Sequence, residues 1–68
     1  MNTERLVAMA NDIAAFFAAE PDQDAGAEQV ANHLRRFWAP KMREEIRAHE
    51  RAGGAGLSDL AKRGVAKL

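Results

Sequence analysis

Residues 27–40 read AEQVANHLRRFWAP, and this stretch carries the clearest structural pattern in the sequence. Its apolar side chains recur at three- and four-residue steps, the spacing that places side chains on one face of an α-helix. The series consists of Ala27, Val30, Ala31, Leu34, Phe37 and Trp38. Because Pro40 disfavours the helical conformation for the residue before it, the helix must end there. We therefore predict a helix over residues 25–38.

The segments on either side of this helix predict two more. Residues 3–19 also repeat apolar side chains at helical spacing, and Pro21 closes that segment. Pro40 suits the first position of a third helix, because the backbone N–H that proline lacks has no partner there in any case. We expect this helix over residues 40–52. Only one or two residues then separate the second and third helices, which predicts a sharp corner at Pro40.

A glycine-rich segment separates a fourth helix from the third. Gly53 is expected as the left-handed C-terminal cap of the third helix, and Ser58 as the N-cap of a helix over residues 58–68. Gly64 lies inside that last helix, where glycine costs on the order of 1 kcal/mol relative to alanine. The sequence therefore predicts a single all-α domain over residues 1–68, with three or four helices and short loops.

The size and composition of the chain restrict what such a domain can contain. A 7.4 kDa chain buries only about 60% of the surface that it exposes when unfolded, so its core contributes little net stability. The absence of cysteine excludes disulfides and thiolate-bound metals, and two histidines are too few for a structural zinc site. We expect the stability to come from close helix packing, from self-association or from a protein partner.

Compartment and charge give further expectations. The chain has no apolar run of membrane-spanning length and no basic leader, which favours a cytoplasmic protein without a membrane partner.

The charged residues are unevenly distributed along the chain. Residues 1–32 hold six acids and one base, a net charge of −5, whereas residues 33–68 hold nine bases and four acids, a net charge of +5. This polarity favours docking on a protein in one orientation over generic nucleic-acid binding. Ordinary solvated faces are the alternative.

Candidate catalytic and metal-binding groups are few. Ser58, His49 and Asp59 contain the residue types of a catalytic relay, but Asp59 adjoins the serine, and Ser58 is expected to cap a helix. Glu45 and His49 have the four-residue spacing of a metal-binding pair, although no third ligand lies within reach. We therefore predict no catalytic, cofactor-binding or metal-binding residue in this chain.

Aromatic and basic residues suggest a surface that contacts another molecule. Phe16 with Phe17, and Phe37 with Trp38, are adjacent pairs, and neighbours on a helix point about 100° apart. Either all four wrap a wide core, or one of each pair is available to a partner. The basic residues around Pro40 resemble a helix-turn-helix surface for nucleic acid, but acidic residues interrupt its second helix, so an acidic protein surface or solvent is favoured.

Three stretches together resemble a known family. They are residues 9–17, MANDIAAFF, residues 33–43, HLRRFWAPKMR, and the glycine pair Gly53-Gly54 ahead of Leu57. Over residues 4–68 the chain resembles the delta subunit of cytosolic NAD-dependent formate dehydrogenase. Ala39 departs from the pattern, since an acidic residue is expected there.

The resemblance implies a small helical accessory subunit of a molybdenum or tungsten enzyme. Such a complex oxidises formate to carbon dioxide and passes electrons through iron–sulfur clusters and flavin to NAD. The metal pterin, the clusters and the flavin belong to larger subunits, so the resemblance implies a non-catalytic, cofactor-free chain. Its expected partner is the large metal-containing subunit, and its expected role is stabilisation or assembly of the holoenzyme. A transient assembly chaperone and a small nucleic-acid-binding regulator are the alternatives.

The candidate partner interface combines the resemblance with the aromatic and basic residues described above. It consists of Phe17, Arg35, Arg36, Phe37, Trp38, Pro40, Met42 and Arg43. No nucleic acid is expected as a partner, and self-association of the isolated chain is left open.

Overall fold

The computed structural model describes residues 2–68, in which four helices follow one another with no strand between them. They are α1 (Thr3–Phe17), α2 (Gln23–Phe37), α3 (Pro40–Arg51) and α4 (Asp59–Ala66). The all-α prediction is confirmed, and two residues, as expected, separate α2 from α3. The molecule measures 32 × 23 × 17 Å along its principal axes.

Side-chain caps fix where each helix begins. The side chain of Asn2 accepts a hydrogen bond from the backbone N–H of Glu4, which starts α1. Asp22 accepts from two backbone N–H groups of the next turn, so α2 begins two residues earlier than predicted. Ser58 caps α4 as expected, by accepting from the backbone N–H of Ala61. These contacts satisfy N–H groups that have no partner within the helix.

Short-range hydrogen bonds end the helices slightly before their predicted limits. Ala18 donates its backbone N–H to the carbonyl of Ala15, three residues earlier, and α1 ends at Phe17 instead of residue 19. The same type of bond joins Leu68 to Val65, so residues 67 and 68 lie outside α4. Such bonds tighten the last turn into a geometry that does not continue as an α-helix. The two helices therefore end two residues before the approximate limits, 19 and 68, that the sequence predicts.

Gly53 ends α3 in the conformation expected of a C-terminal glycine cap. Its φ of +119° is one that other residues rarely adopt. The backbone N–H of Gly53 donates to the carbonyl of Glu50 at 3.0 Å, and that of Gly54 donates to the carbonyl of His49 at 2.9 Å. This pair of bonds is the Schellman arrangement, which satisfies the carbonyls left over at a helix end.

The core is made of aliphatic side chains from all four helices and of Trp38, which is 6% exposed. The largest fully buried side chains are those of Leu6, Leu34, Ile46, Val30 and Val65. The predicted apolar faces are confirmed except at two positions, Phe16 and Phe37, which point out of the core. No helix within residues 2–68 is both long enough and apolar enough to cross a membrane.

Helices α2 and α4 approach each other closely at Gly64. A Cβ atom at this position would lie 2.7 Å from Cβ of Val30 and 3.3 Å from the carbonyl oxygen of Ala27. Real Cβ atoms essentially never come so close to another side chain. The glycine that lowers the helix propensity of α4 therefore permits its contact with α2.

Candidate functional site

An exposed aromatic surface lies where the C-terminal half of α1 passes α2. Phe16 is 83% exposed and Phe37 is 68% exposed. Together with Ile13, Phe17 and His33 they form what we call the aromatic groove. Scattered exposed apolar residues are ordinary in proteins, but a continuous exposed apolar patch marks a surface that contacts another molecule.

The aromatic rings of the groove pack against each other in pairs, one pair on α1 and one on α2. The rings of Phe16 and Phe17 meet edge to face, with their centroids 5.4 Å apart. On α2, His33 and Phe37 are four residues apart and their ring centroids lie 4.7 Å apart. These contacts restrict the rings before a partner binds, and such restriction reduces the entropic cost of association.

Two open depressions lie on either side of Phe17 and His33, which border both of them. The depression on the α1 side has a volume of about 310 Å³ and reaches Asp12. The depression on the α2 side has a volume of about 190 Å³ and reaches Arg36. The guanidinium carbon of Arg36 lies 6.0 Å from the centroid of the Phe37 ring, at the outer limit of a cation–π contact. The groove therefore has an acidic rim and a basic rim.

The structure distributes the eight predicted interface residues over three places. Phe17, Arg36 and Phe37 lie at the aromatic groove. Trp38 lies in the core, and Met42 packs against the core, so neither side chain offers much surface to a partner. The remaining three, Arg35, Pro40 and Arg43, line a separate cleft beside the α2–α3 corner.

Contacts within the chain occupy the arginines of that cleft. Arg35 donates to the carbonyl of Lys67 at 2.6 Å, and it also lies 3.5 Å from a carboxylate oxygen of Glu28. Arg43 donates to the carbonyl of Arg35 at 3.0 Å. These bonds join the end of α2 to α3 and to the end of α4. The two arginines therefore have a structural role in addition to any contact with a partner.

Phe16 is the residue that the predicted interface omitted. Its position along α1 fits the apolar repeat of residues 3–19, so the sequence pattern alone left open whether it packs in the core or faces a partner. The signal that separates it from Phe17 is its position four residues after Asp12, a charged and exposed side chain on the same face. Phe17 instead packs partly against the core.

The candidate catalytic and metal-binding residues make structural contacts. Ser58 accepts the capping bond of α4, and His49 donates from Nε2 to the carbonyl of Ala55 at 2.8 Å. The hydroxyl of Thr3 donates to Glu45, which joins the start of α1 to α3. Within residues 2–68, no three histidine, aspartate or glutamate side chains converge as a metal site requires.

Lys67 makes the ion pairs that join the end of α4 to the start of α2. Its ammonium nitrogen lies 3.3 Å from a carboxylate oxygen of Asp24 and 3.5 Å from one of Glu28. The hydrogen bond to Asp24 and the charge of that carboxylate, aided by Glu28, raise the pKa of Lys67 above its ordinary value.

Four short helices around an aliphatic core, with the side chains of Phe16 and Phe37 left exposed, define a small all-α domain with an apolar groove on its surface. Its family is established by sequence. The chain belongs to the NADH-dependent formate dehydrogenase delta subunit family, FdsD, whose model matches residues 5–65. No curated protein and no solved structure matches the chain. The resemblance seen in the sequence is therefore confirmed, and the chain is a member of a family of formate dehydrogenase subunits.

Proposed function

We propose that this chain is a non-catalytic accessory subunit that binds the large metal-containing subunit of a cytoplasmic formate dehydrogenase through the aromatic groove. Binding stabilises the holoenzyme or helps to assemble it. The proposal rests on the exposure of Phe16 and Phe37, which line two depressions that share Phe17 and His33, in a protein whose family takes part in a multi-subunit enzyme.

The composition of the groove suits this role. Burying a phenylalanine side chain contributes roughly 1.5–3 kcal/mol, so the two exposed rings are a substantial source of binding energy. Aromatic residues and arginine are the types that dominate binding energy in protein interfaces. Arg36 beside Phe37 places both types at one edge of the groove.

In this proposal the chemistry takes place in the other subunits. The molybdenum or tungsten pterin, the iron–sulfur clusters and the flavin reside there, and this chain contributes packing and no cofactor. The absence of cysteine supports the assignment, because iron–sulfur clusters are held mainly by cysteine thiolates. The purified chain alone is expected to reduce no NAD with formate.

Co-purification tests the proposal. The tagged chain is expressed with the large subunit, and a Phe16→Ser, Phe37→Ser double variant is compared with a Lys41→Ser, Arg51→Ser control that changes exposed residues of α3. The double variant should lose the large subunit while keeping its helical circular dichroism, and the control should retain it. Equal retention by both variants would refute docking through the groove.

The same preparation distinguishes a permanent subunit from a transient assembly chaperone. A permanent subunit stays in the mature, metal-loaded enzyme in a one-to-one ratio with the large subunit. A chaperone is present only in complexes that lack the metal centre. We expect the one-to-one ratio, and its loss on maturation would contradict the stabilising role.

A further inference from the structure

The aromatic groove must also be considered in the free chain, before any partner is bound. Two phenylalanines that are 83% and 68% exposed leave roughly 300 Å² of aromatic surface in water, since a phenylalanine has about 200 Å² to bury. We propose that the free chain covers this surface by pairing with a second copy of itself, groove against groove, about a two-fold axis.

The charges at the rims of the groove are self-complementary. Asp12 borders the depression on the α1 side, and Arg36 borders the one on the α2 side, with Phe17 and His33 between them. A two-fold axis that runs across the middle of the groove places the Asp12 rim of each copy over the Arg36 rim of the other copy. An isologous dimer requires this kind of self-complementary surface.

Neither rim charge is paired with an opposite charge among the residues that the structure describes. The ion pairs of residues 2–68 involve Arg35 and Lys67 with Asp24 and Glu28, and none involves Asp12 or Arg36. Both side chains are exposed. Pairing the two copies therefore creates two new charge contacts and breaks no existing one.

The available area predicts a weak dimer. A standard stable interface buries about 800 Å² on each partner, whereas the two exposed rings supply roughly 300 Å² on each copy. We therefore expect a weak dimer with a dissociation constant in the range of about 1–100 μM. Such a dimer dissociates readily, and a larger interface with another subunit can replace it.

This inference uses the same groove as the proposed function but does not depend on the identity of the partner. One groove cannot hold both a second copy and another subunit. The large subunit and the second copy therefore compete, and the complex contains a single copy of this chain at each docking site.

Sedimentation equilibrium of the purified chain tests the pairing. The wild-type chain should show a concentration-dependent equilibrium between monomer and dimer, and the Phe16→Ser, Phe37→Ser variant should be monomeric throughout. Arg36→Asp and Asp12→Arg should each weaken the dimer by about tenfold or more, the size expected from like charges facing each other. Lys41→Glu, an exposed charge reversal on α3, should leave the dimer unchanged.

Combining the two reversals gives the sharpest result. Asp12→Arg with Arg36→Asp restores opposite charges across the two-fold axis, so the doubly reversed chain should dimerise nearly as well as the wild type. A wild-type chain that stays monomeric up to millimolar concentration would overturn the inference. So would a dimer that ignores these substitutions, since it would use another face.

Pairing of two copies and docking on the large subunit can be tested separately. A monomeric chain that still co-purifies with the large subunit overturns the pairing alone. A chain that dimerises through the groove but never co-purifies with the large subunit supports the pairing and overturns the proposed docking.

Discussion

Helix α2 takes part in two contrasting surfaces. On one face, Val30 packs against Gly64 of α4 so closely that no side chain fits between the helices. On another face, His33 and Phe37 form part of a groove that no residue of the described chain covers. The first surface holds the fold together, and the second is available to other molecules. A domain of this size can serve both purposes because a single helix presents apolar residues on more than one side.

The largest effect should come from truncating the buried face of α2. Leu34 is fully buried, so Leu34→Ala should lower the free energy of unfolding by about 2–5 kcal/mol, from lost burial and the cavity left behind. Urea titration followed by circular dichroism measures the change. Phe37→Ala on the same helix is the matched control and should shift stability by less than about 0.5 kcal/mol. Equal losses for the two variants would contradict the division of α2 into a core face and an exposed face.

Gly64→Ala should have the next largest effect on the free energy of unfolding. The sign of the change shows whether helix propensity or close packing dominates at this position. Helix propensity alone would raise the free energy of unfolding by about 1 kcal/mol, whereas overpacking against Val30 lowers it by about 1–3 kcal/mol. We expect a net decrease in the free energy of unfolding, measured by urea titration. Val30→Ala removes Cγ1, the Val30 atom that the new methyl group would meet most closely, and keeps Cβ, so the double variant should recover part of the loss and be more stable than the sum of the single effects predicts. A stabilised Gly64→Ala chain would show that α2 and α4 are not in close contact there.

A smaller gain in stability should come from the α2–α3 corner. Ala39 has the extended conformation of an N-cap but offers no side-chain acceptor to the first turn of α3. Ala39→Asp should raise the free energy of unfolding by about 0.5–1 kcal/mol through the missing capping bond and the helix dipole. Thermal unfolding measures the gain, and Ala39→Val, which supplies no acceptor, should give none. A gain with valine would rule out capping as the cause.

The smallest effect concerns the ion pairs of Lys67. Because Asp24 raises the pKa of Lys67 above its ordinary value of 10.5, the folded state binds this proton more tightly than the unfolded state. The resulting stabilisation is fully present below pH 10.5 and is lost as the pH rises through the folded-state pKa. Lys67→Met should abolish this part of the alkaline loss of stability, measured by urea titration between pH 9 and pH 11.5 in about 0.1 M salt. An identical alkaline profile in the variant would show that the ion pairs contribute nothing.

Local patterns in the sequence were sufficient to predict most of the fold. Apolar spacing and the two prolines located all four helices, and the caps at Gly53 and Ser58 were found because capping depends on residues only a few positions apart. The role of Gly64 in the contact between α2 and α4 was not predictable from the sequence. Only the path of α2 shows that a side chain at position 64 would clash with Val30.

The candidate site was harder to predict, because it depends on how the helices cross. Phe16 and Phe17 are adjacent and chemically identical, and apart from the position of Asp12 one turn before Phe16, only the packing of α1 shows which of the two remains exposed. Likewise, the pattern of basic residues did not reveal that Arg35 bonds to a carbonyl 32 residues away in sequence. Trp38 was predicted as an interface residue from its type, whereas its position at the corner buries it.

Thiol labelling can show whether the large subunit covers the aromatic groove, since the chain has no cysteine of its own. A Gln29→Cys substitution places a single thiol at the edge of the aromatic groove, and Arg51→Cys places one at the far end of α3. Alkylation rates are measured for each chain, first diluted to its monomeric form and then within the complex with the large subunit. Complex formation should protect the thiol at position 29 and leave the one at position 51 reactive. Protection at position 51 with full reactivity at position 29 would show that the large subunit binds a face other than the aromatic groove.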